Sequence, residues 1–210
     1  MNIQRLPDEL QQLYSEQQAA IRHRLEEFSN ISRSSWFYEL CFCLCTPQSS
    51  AVHALQVQRV LEQEHFLMRG HDVLHVLRDP ETYIRFHNTK HKRLHDAREN
   101  WHQIEQLIMQ NDMSVRDQRD ALADYVNGIG LKEASHYLRN IGRRNLAIID
   151  RHLLTNLVRC NVYSEVPAIS SRKNYHAVEL AFEQYSNDVG IDMDELDLLF
   201  WCAQTGHILK

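Results

Sequence analysis

Six glycines and four prolines in 210 residues leave this chain without the punctuation that a sandwich or barrel of short strands demands. Leu, Glu, Gln, Arg and Ala, which all favour helices, are plentiful instead. The expected class is therefore all-α, and the length suits one large domain or two helical subdomains flanking a cleft. Hydrophobic residues at 43% can bury a core. No stretch approaches 18 consecutive apolar residues, and the chain opens on the polar MNIQRLPDELQQLYSEQQ, so a cytoplasmic protein with no membrane contact is expected. Cys41, Cys43, Cys45, Cys160 and Cys202 form an odd set without a CxxC pair. They point to small core residues instead of a disulfide framework, zinc ribbon or iron–sulfur site.

Leu10, Leu13, Tyr14, Ala20, Ile21, Leu25 and Phe28 make a helical stripe behind Asp8, a candidate cap. A second helix runs from Ser34 or Ser35 through WFYELCFCLC and stops near Pro47. It is apolar nearly all round, which predicts a central, buried helix. Further helices are expected at about 50–68, 88–110, 114–127, 131–141, 151–160, 172–187 and 192–203.

The formal net charge of −5 argues against binding nucleic acid by bulk attraction, yet the charge is uneven. Seven acids and no Lys or Arg lie between Glu179 and Asp197. Five bases against one acid lie in 85–98, and five against two in 132–151. Each basic stretch on its own reads as a solvated helix face. If they meet DNA, binding rests on a few local phosphate contacts and shows a modest salt slope.

The chemically informative segment is Tyr125-Val-Asn-Gly-Ile-Gly-Leu-Lys-Glu-Ala134. Gly128 and Gly130 allow a hairpin with unusual dihedrals between two helices, spanning about 114–142, with Lys132 in the first turn of the second. Peptide N–H groups at that start can grip a phosphate without reading a base, although GxG also serves as a plain interhelical turn. A lysine there is a candidate nucleophile, since a neutral amine is what forms a Schiff base with a sugar carbon. Eighteen residues further on, Asp150 follows an apolar run where a cap should start a helix; it can cap, or cap and catalyse.

NGIGLKEASHYLRNIG at 127–142, LAIIDRH at 146–152, ELCFCLCTPQSSA at 39–51, YIRFHNTKHKRL at 83–94 and the ending FWCAQTGHILK at 200–210 span most of the chain. Together they resemble the helix-hairpin-helix DNA glycosylases with AP lyase activity, above all the compact archaeal and bacterial second class of 8-oxoguanine DNA glycosylase/lyases. The resemblance implies a bifunctional repair enzyme acting on double-stranded DNA, with Lys132 as nucleophile and Asp150 as catalytic aspartate. It implies that Gly128 and Gly130 grip the DNA backbone, often with a monovalent cation on hairpin carbonyls and no required cofactor. Gln48 falls near the extruded nucleotide and the opposite strand, Arg85 and Phe86 where the duplex is disturbed, and Trp201 and Lys210 around the flipped base. Trp201 also fits a core aromatic beside Leu198, Leu199 and Phe200. CTPQSSA departs from the family's more familiar LTANTSA-like version, and the loop before Asp150 holds Gly142 but no proline.

Two other readings are open. A noncatalytic helix-hairpin-helix module accounts for the glycines and bases but gives no reason for Lys132 and Asp150. His87, His91 and His95 recur at i, i+4, i+8, with His71 and His75 as another pair, a pattern that can hold a metal. The triplet lacks an HExxH glutamate and is interleaved with Lys90, Lys92 and Arg93, which disfavour a cation. A monomer is the simplest expectation for one site acting on one base.

Overall fold

The computed structural model describes residues 5–110 and 112–208. Among them lie twelve α-helices and no strand: α1 (Asp8–Ser29), α2 (Trp36–Cys45), α3 (Ala51–Gln63), α4 (Phe66–Arg69), α5 (Leu74–Arg78), α6 (His87–Glu99), α7 (Trp101–Ile108), α8 (Val115–Tyr125), α9 (Leu131–Asn140), α10 (Arg151–Arg159), α11 (Arg172–Val189) and α12 (Met193–Thr205). The chain divides into two compact units. One is Ile31–Ile141; the other joins the N-terminal segment through Asn30 to everything from Gly142 onward.

In the unit Ile31–Ile141, α2 is the centre, with every residue from Phe37 to Cys45 buried and α3, α6 and α9 packed around it. The nearly all-apolar sequence of α2 makes any other placement costly, because each buried large side chain is worth about 1.5–3 kcal/mol. Phe37 meets Trp101 edge-on at 5.3 Å between ring centroids. One carboxylate lies inside this apolar shell. Glu39 accepts from Gln58 Nε2 at 2.7 Å and from Asn140 Nδ2 at 3.1 Å, tying α2 to α3 and to the end of α9. Burial raises the Cys41 thiol well above its ordinary pKa and takes Cys45 up to about 12, so these cysteines act as small core residues.

Two expected helices are broken here. The stretch 50–68 stops at Glu64, where His65 takes a left-handed φ of 55° and α4 begins on the buried Phe66. The stretch 88–110 divides at Asn100, whose backbone leaves helical geometry while its side-chain amide donates to the Asp96 carbonyl at 2.8 Å. The short α5 was not anticipated.

In the other unit, α12 is the core helix, buried from Met193 to Phe200, with α1, α10 and α11 against it. Asp8 is the first helical residue of α1, not its cap. Pro7 takes the cap position, and Asp8 and Glu9 instead place negative charge by the positive helix end. The acidic stretch 179–197 is not simply a solvated face, since Glu179, Asp194, Glu195 and Asp197 are all buried. Glu195 joins α12 to α1 by accepting from the Tyr14 hydroxyl at 2.5 Å and from Arg22 Nε at 3.0 Å. Burial, followed by this bond to a carboxylate, raises the Tyr14 pKa.

Tyr14→Phe leaves the Glu195 carboxylate short of a donor in a buried setting, so it should cost about 1–3 kcal/mol in chemical denaturation. A loss within about 0.5 kcal/mol would show that this contact does not hold α1 to α12.

Candidate active site and nucleic-acid interface

In the unit Ile31–Ile141, α8 ends at Tyr125 because Val126 turns to an extended conformation, and α9 starts at Leu131. Gly128 between them has φ +100°, and a Cβ there would lie 2.2 Å from Arg93 Cδ and 2.5 Å from its Nε. The Arg93 side chain therefore lies across the turn and would have to shift for a Cβ, while the positive φ itself favours glycine. Gly130 differs from expectation. Its φ of −109° and ψ of −169° are extended backbone that any residue adopts. The turn is tied to α6 by Asn127, which donates to Asp96 Oδ2 at 3.0 Å.

Lys132 sits in the first turn of α9, where N–H groups have no intrahelical acceptor and the dipole is positive. Its Nζ lies 3.2 Å from Glu133 Oε1, while Glu133 Oε2 accepts from the Gly130 N–H at 3.3 Å. Glu133 thus holds both the hairpin backbone and the lysine head. The sequence reading gave it no role, although an acid three residues after a cap position is the available signal.

The same unit brings Gln48, Arg85 and Phe86 together. The Arg85 N–H donates to Ser49 Oγ at 3.0 Å, next to Gln48, and the Arg85 guanidinium lies 4.8 Å from the Phe86 ring centroid. Gln48 and Phe86 both have left-handed backbones, at φ 55° and 60°. Non-glycine residues hold that region only where their surroundings over-determine it. The Phe86 side chain stands half out in solvent at 50% exposure. A large apolar ring held there on a fixed backbone is equipped to insert into something.

The other unit carries Asp150. Gly142, at φ +87°, passes so close to α1 that a Cβ would meet Ser29 Cα at 2.9 Å. From there to Asp150 the chain forms neither helix nor strand, turning left-handed at Asn145 (φ 65°), and side chains take up its N–H groups. The N–H of Asn145 donates to Asp194 Oδ2 at 3.0 Å, that of Ala147 to Glu179 Oε1 at 3.0 Å, and that of Ile149 to the Tyr175 hydroxyl at 3.5 Å. The Tyr175 hydroxyl donates in turn to the Ala147 carbonyl at 2.6 Å. Asp150 is the cap of α10, its Oδ1 accepting from His152 N at 2.8 Å and Leu153 N at 2.9 Å. His152 meets the Trp201 ring edge-on at 5.0 Å, so Asp150 and Trp201 share a neighbourhood. Trp201 is half-buried, whereas Leu198, Leu199 and Phe200 are fully buried. Lys210 lies outside the described residues.

The histidines that suggested a metal have other contacts. His71 Nε2 lies 2.7 Å from Glu64, His91 Nε2 is 3.3 Å from Asp72, and His95 packs against Phe66. Among the described residues, no group of three or more His, Cys, Asp or Glu converges as a metal site.

The family described as 8-oxoguanine DNA glycosylase matches residues 21–191. The chain belongs to this family. An 8-oxoguanine DNA glycosylase/AP lyase of Fusobacterium nucleatum is 34% identical over 214 residues, covering 97% of each chain. The fold matches the Methanocaldococcus jannaschii 8-oxoguanine glycosylase/lyase, crystallised with a 15mer DNA containing 8-oxoguanine, at TM-score 0.84 and 30% identity over 96% of this chain and 97% of that one. The Thermotoga maritima 8-oxoguanine DNA glycosylase matches at TM-score 0.83 and 27% identity, over 96% and 97% of the chains. At the place where the hairpin was expected, α8 and α9 are joined by the short turn at Gly128.

The geometry separates the two hairpin glycines. Gly128→Ala, strained and in collision with Arg93, should lose about 1–3 kcal/mol in denaturant melts. Gly130→Ala should stay within about 1 kcal/mol. Equal losses would contradict the roles given to the two positions.

Proposed function

We propose that this protein excises 8-oxoguanine from double-stranded DNA through a Schiff base on Lys132 and then cleaves the abasic strand by β-elimination. The observation that carries the reading is family membership over most of the chain, with relatives named 8-oxoguanine DNA glycosylase/AP lyase. What supports Lys132 as nucleophile is its place at a helix start beside the hairpin. What supports Asp150 is a carboxylate held by two peptide N–H groups at the end of a braced segment.

Extruding a base costs a few kcal/mol of stacking and pairing. Phosphate contacts at the start of α9, with Gly128 and Gly130 in the turn, help offset it, as do Gln48, Arg85 and Phe86 at the disturbed duplex. A monovalent cation on hairpin carbonyls would add to the phosphate grip. Lys132 leaves Glu133 and reaches the sugar as a neutral amine, with Asp150 assisting its deprotonation and stabilising positive charge as it grows on the sugar. The amine nitrogen bonds to C1′ while the glycosidic bond breaks, and the base departs with the electron pair and takes up a proton. The sugar ring then opens to the Schiff base. Loss of a C2′ proton expels the 3′ phosphate, cutting the strand on the 3′ side. Trp201 and Lys210 would flank the flipped base. Amine and carboxylate supply the whole reaction, so no cofactor is required. We place the enzyme in the cytoplasm, on the nucleoid, as a monomer.

Borohydride added during turnover of an 8-oxoguanine:cytosine duplex should trap a covalent adduct with the wild type and none with Lys132→Gln. Asp150→Asn should lose at least about 100-fold in single-turnover rate while DNA binding is mostly kept. No adduct with the wild type, or equal adducts with both proteins, would remove Lys132 from this role. Unchanged turnover in Asp150→Asn would leave Asp150 a cap alone.

A further inference from the structure

The basic run 85–98 conceals a buried cation. Lys90, one turn into α6, is only 2% exposed. Its Nζ donates to the Cys45 carbonyl at 2.7 Å, the Pro47 carbonyl at 2.6 Å and Ser49 Oγ at 3.1 Å. An ammonium has three N–H groups, and here each has an acceptor. The Cys45 carbonyl belongs to the last turn of α2, where such groups lack intrahelical partners and the dipole favours a cation. Ser49 passes the connection on, because its hydroxyl also accepts from the Arg85 N–H at 3.0 Å. The backbone N–H of Lys90 itself donates to the Phe86 carbonyl at 3.0 Å.

Lys90 therefore holds one loop directly and the other through the Ser49 hydroxyl. Gln48 precedes Ser49, and Phe86 follows Arg85. Both are left-handed non-glycine residues, a geometry that costs on the order of 1–3 kcal/mol each unless the surroundings enforce it. The enforcement visible here is Lys90 and the Ser49 hydroxyl between the loops.

We propose that Lys90 is a positioning residue that sets the backbones of Gln48, Arg85 and Phe86 for insertion into the disturbed duplex. This rests on the glycosylase reading above. Lys90 touches no reacting atom; it acts through the loops. A purely structural lysine at this depth would be a costly choice, since burial lowers its pKa from 10.5 to about 8. Cys45 and Glu133 oppose that shift and Arg93 adds to it.

The test compares single-turnover excision from an 8-oxoguanine:cytosine duplex with cleavage of a preformed abasic site in single-stranded DNA, where no nucleotide has to be extruded. Lys90→Met should slow duplex excision by about 10-fold or more and leave single-strand cleavage within about 2-fold. In a background carrying Gln48→Ala, Arg85→Ala and Phe86→Ala together the same substitution should add less than about 3-fold, because the residues it works through are gone. Ser49→Ala should show the same pattern more weakly, and it carries the test if Lys90→Met does not fold. Hydrogen exchange at the Arg85 amide should quicken by about 10-fold in both variants. Equal slowing on the two substrates, or a full loss in the triple-alanine background, would overturn the proposal. A wild type that excises nothing from the duplex would overturn the glycosylase reading and the proposal with it. A wild type that is active beside an equally active Lys90→Met would overturn the proposal alone.

Discussion

A segment that is neither helix nor strand must find acceptors for its peptide N–H groups or pay for leaving them buried and unpaired. In residues 145–149 the alternate N–H groups of Asn145, Ala147 and Ile149 meet Asp194, Glu179 and Tyr175, so α11 and α12 do with side chains what a sheet does with backbone. The arrangement fixes where the chain stands when it reaches Asp150. From that point the carboxylate caps α10, and the same stretch that begins at Gly142 against the end of α1 finishes at a group available for chemistry. Loop positioning alone would not hold a carboxylate this firmly, because loops ordinarily trade peptide hydrogen bonds with water.

The same device explains how an acidic chain can belong to a DNA glycosylase family. Among the described residues, five buried carboxylates (Glu39, Glu179, Asp194, Glu195 and Asp197) outnumber three buried cations (Lys90, Arg119 and Arg139). Part of the negative charge counted in the net −5 is thus engaged inside, bracing α2, segment 145–149 and the α1–α12 contact. The other bases of segments 85–98 and 132–151 are exposed or half-buried, with Lys90 and Arg139 drawn inward. Bulk charge is a poor guide to partners when ionised groups are used as internal struts.

Much of this was legible in the residues. The apolar run of α2 could only be a core helix, the glycines after Tyr125 could only open a turn, and Asp150 stood where a cap belonged. The places where the reading ran out share a physical cause: they depend on partners distant in sequence or on backbone choices no side chain announces. His65, Gln48 and Phe86 are left-handed without being glycine, so nothing local marks the break after α3 or the two loop turns. Lys90 lies in a run of bases that patterns as a solvated face, and only the carbonyls at the end of α2 show why it is inside. Gly130 shows the opposite error, a glycine credited with a dihedral it does not adopt. Glu179 and Asp194 lie more than thirty residues beyond the peptides they hold, so nothing near either end of the contact marks it.

The central claim, that side-chain acceptors hold the segment leading to Asp150, is tested most directly by residue-resolved hydrogen exchange on Glu179→Met beside Glu179→Gln. The methionine removes the acceptor while keeping similar bulk, and the glutamine retains an oxygen. The account predicts that the Ala147 amide loses protection by about 10-fold or more in Glu179→Met, that His152 and Leu153 loosen with it, and that Glu179→Gln restores most of the protection. An Ala147 amide as protected in Glu179→Met as in the wild type would contradict it.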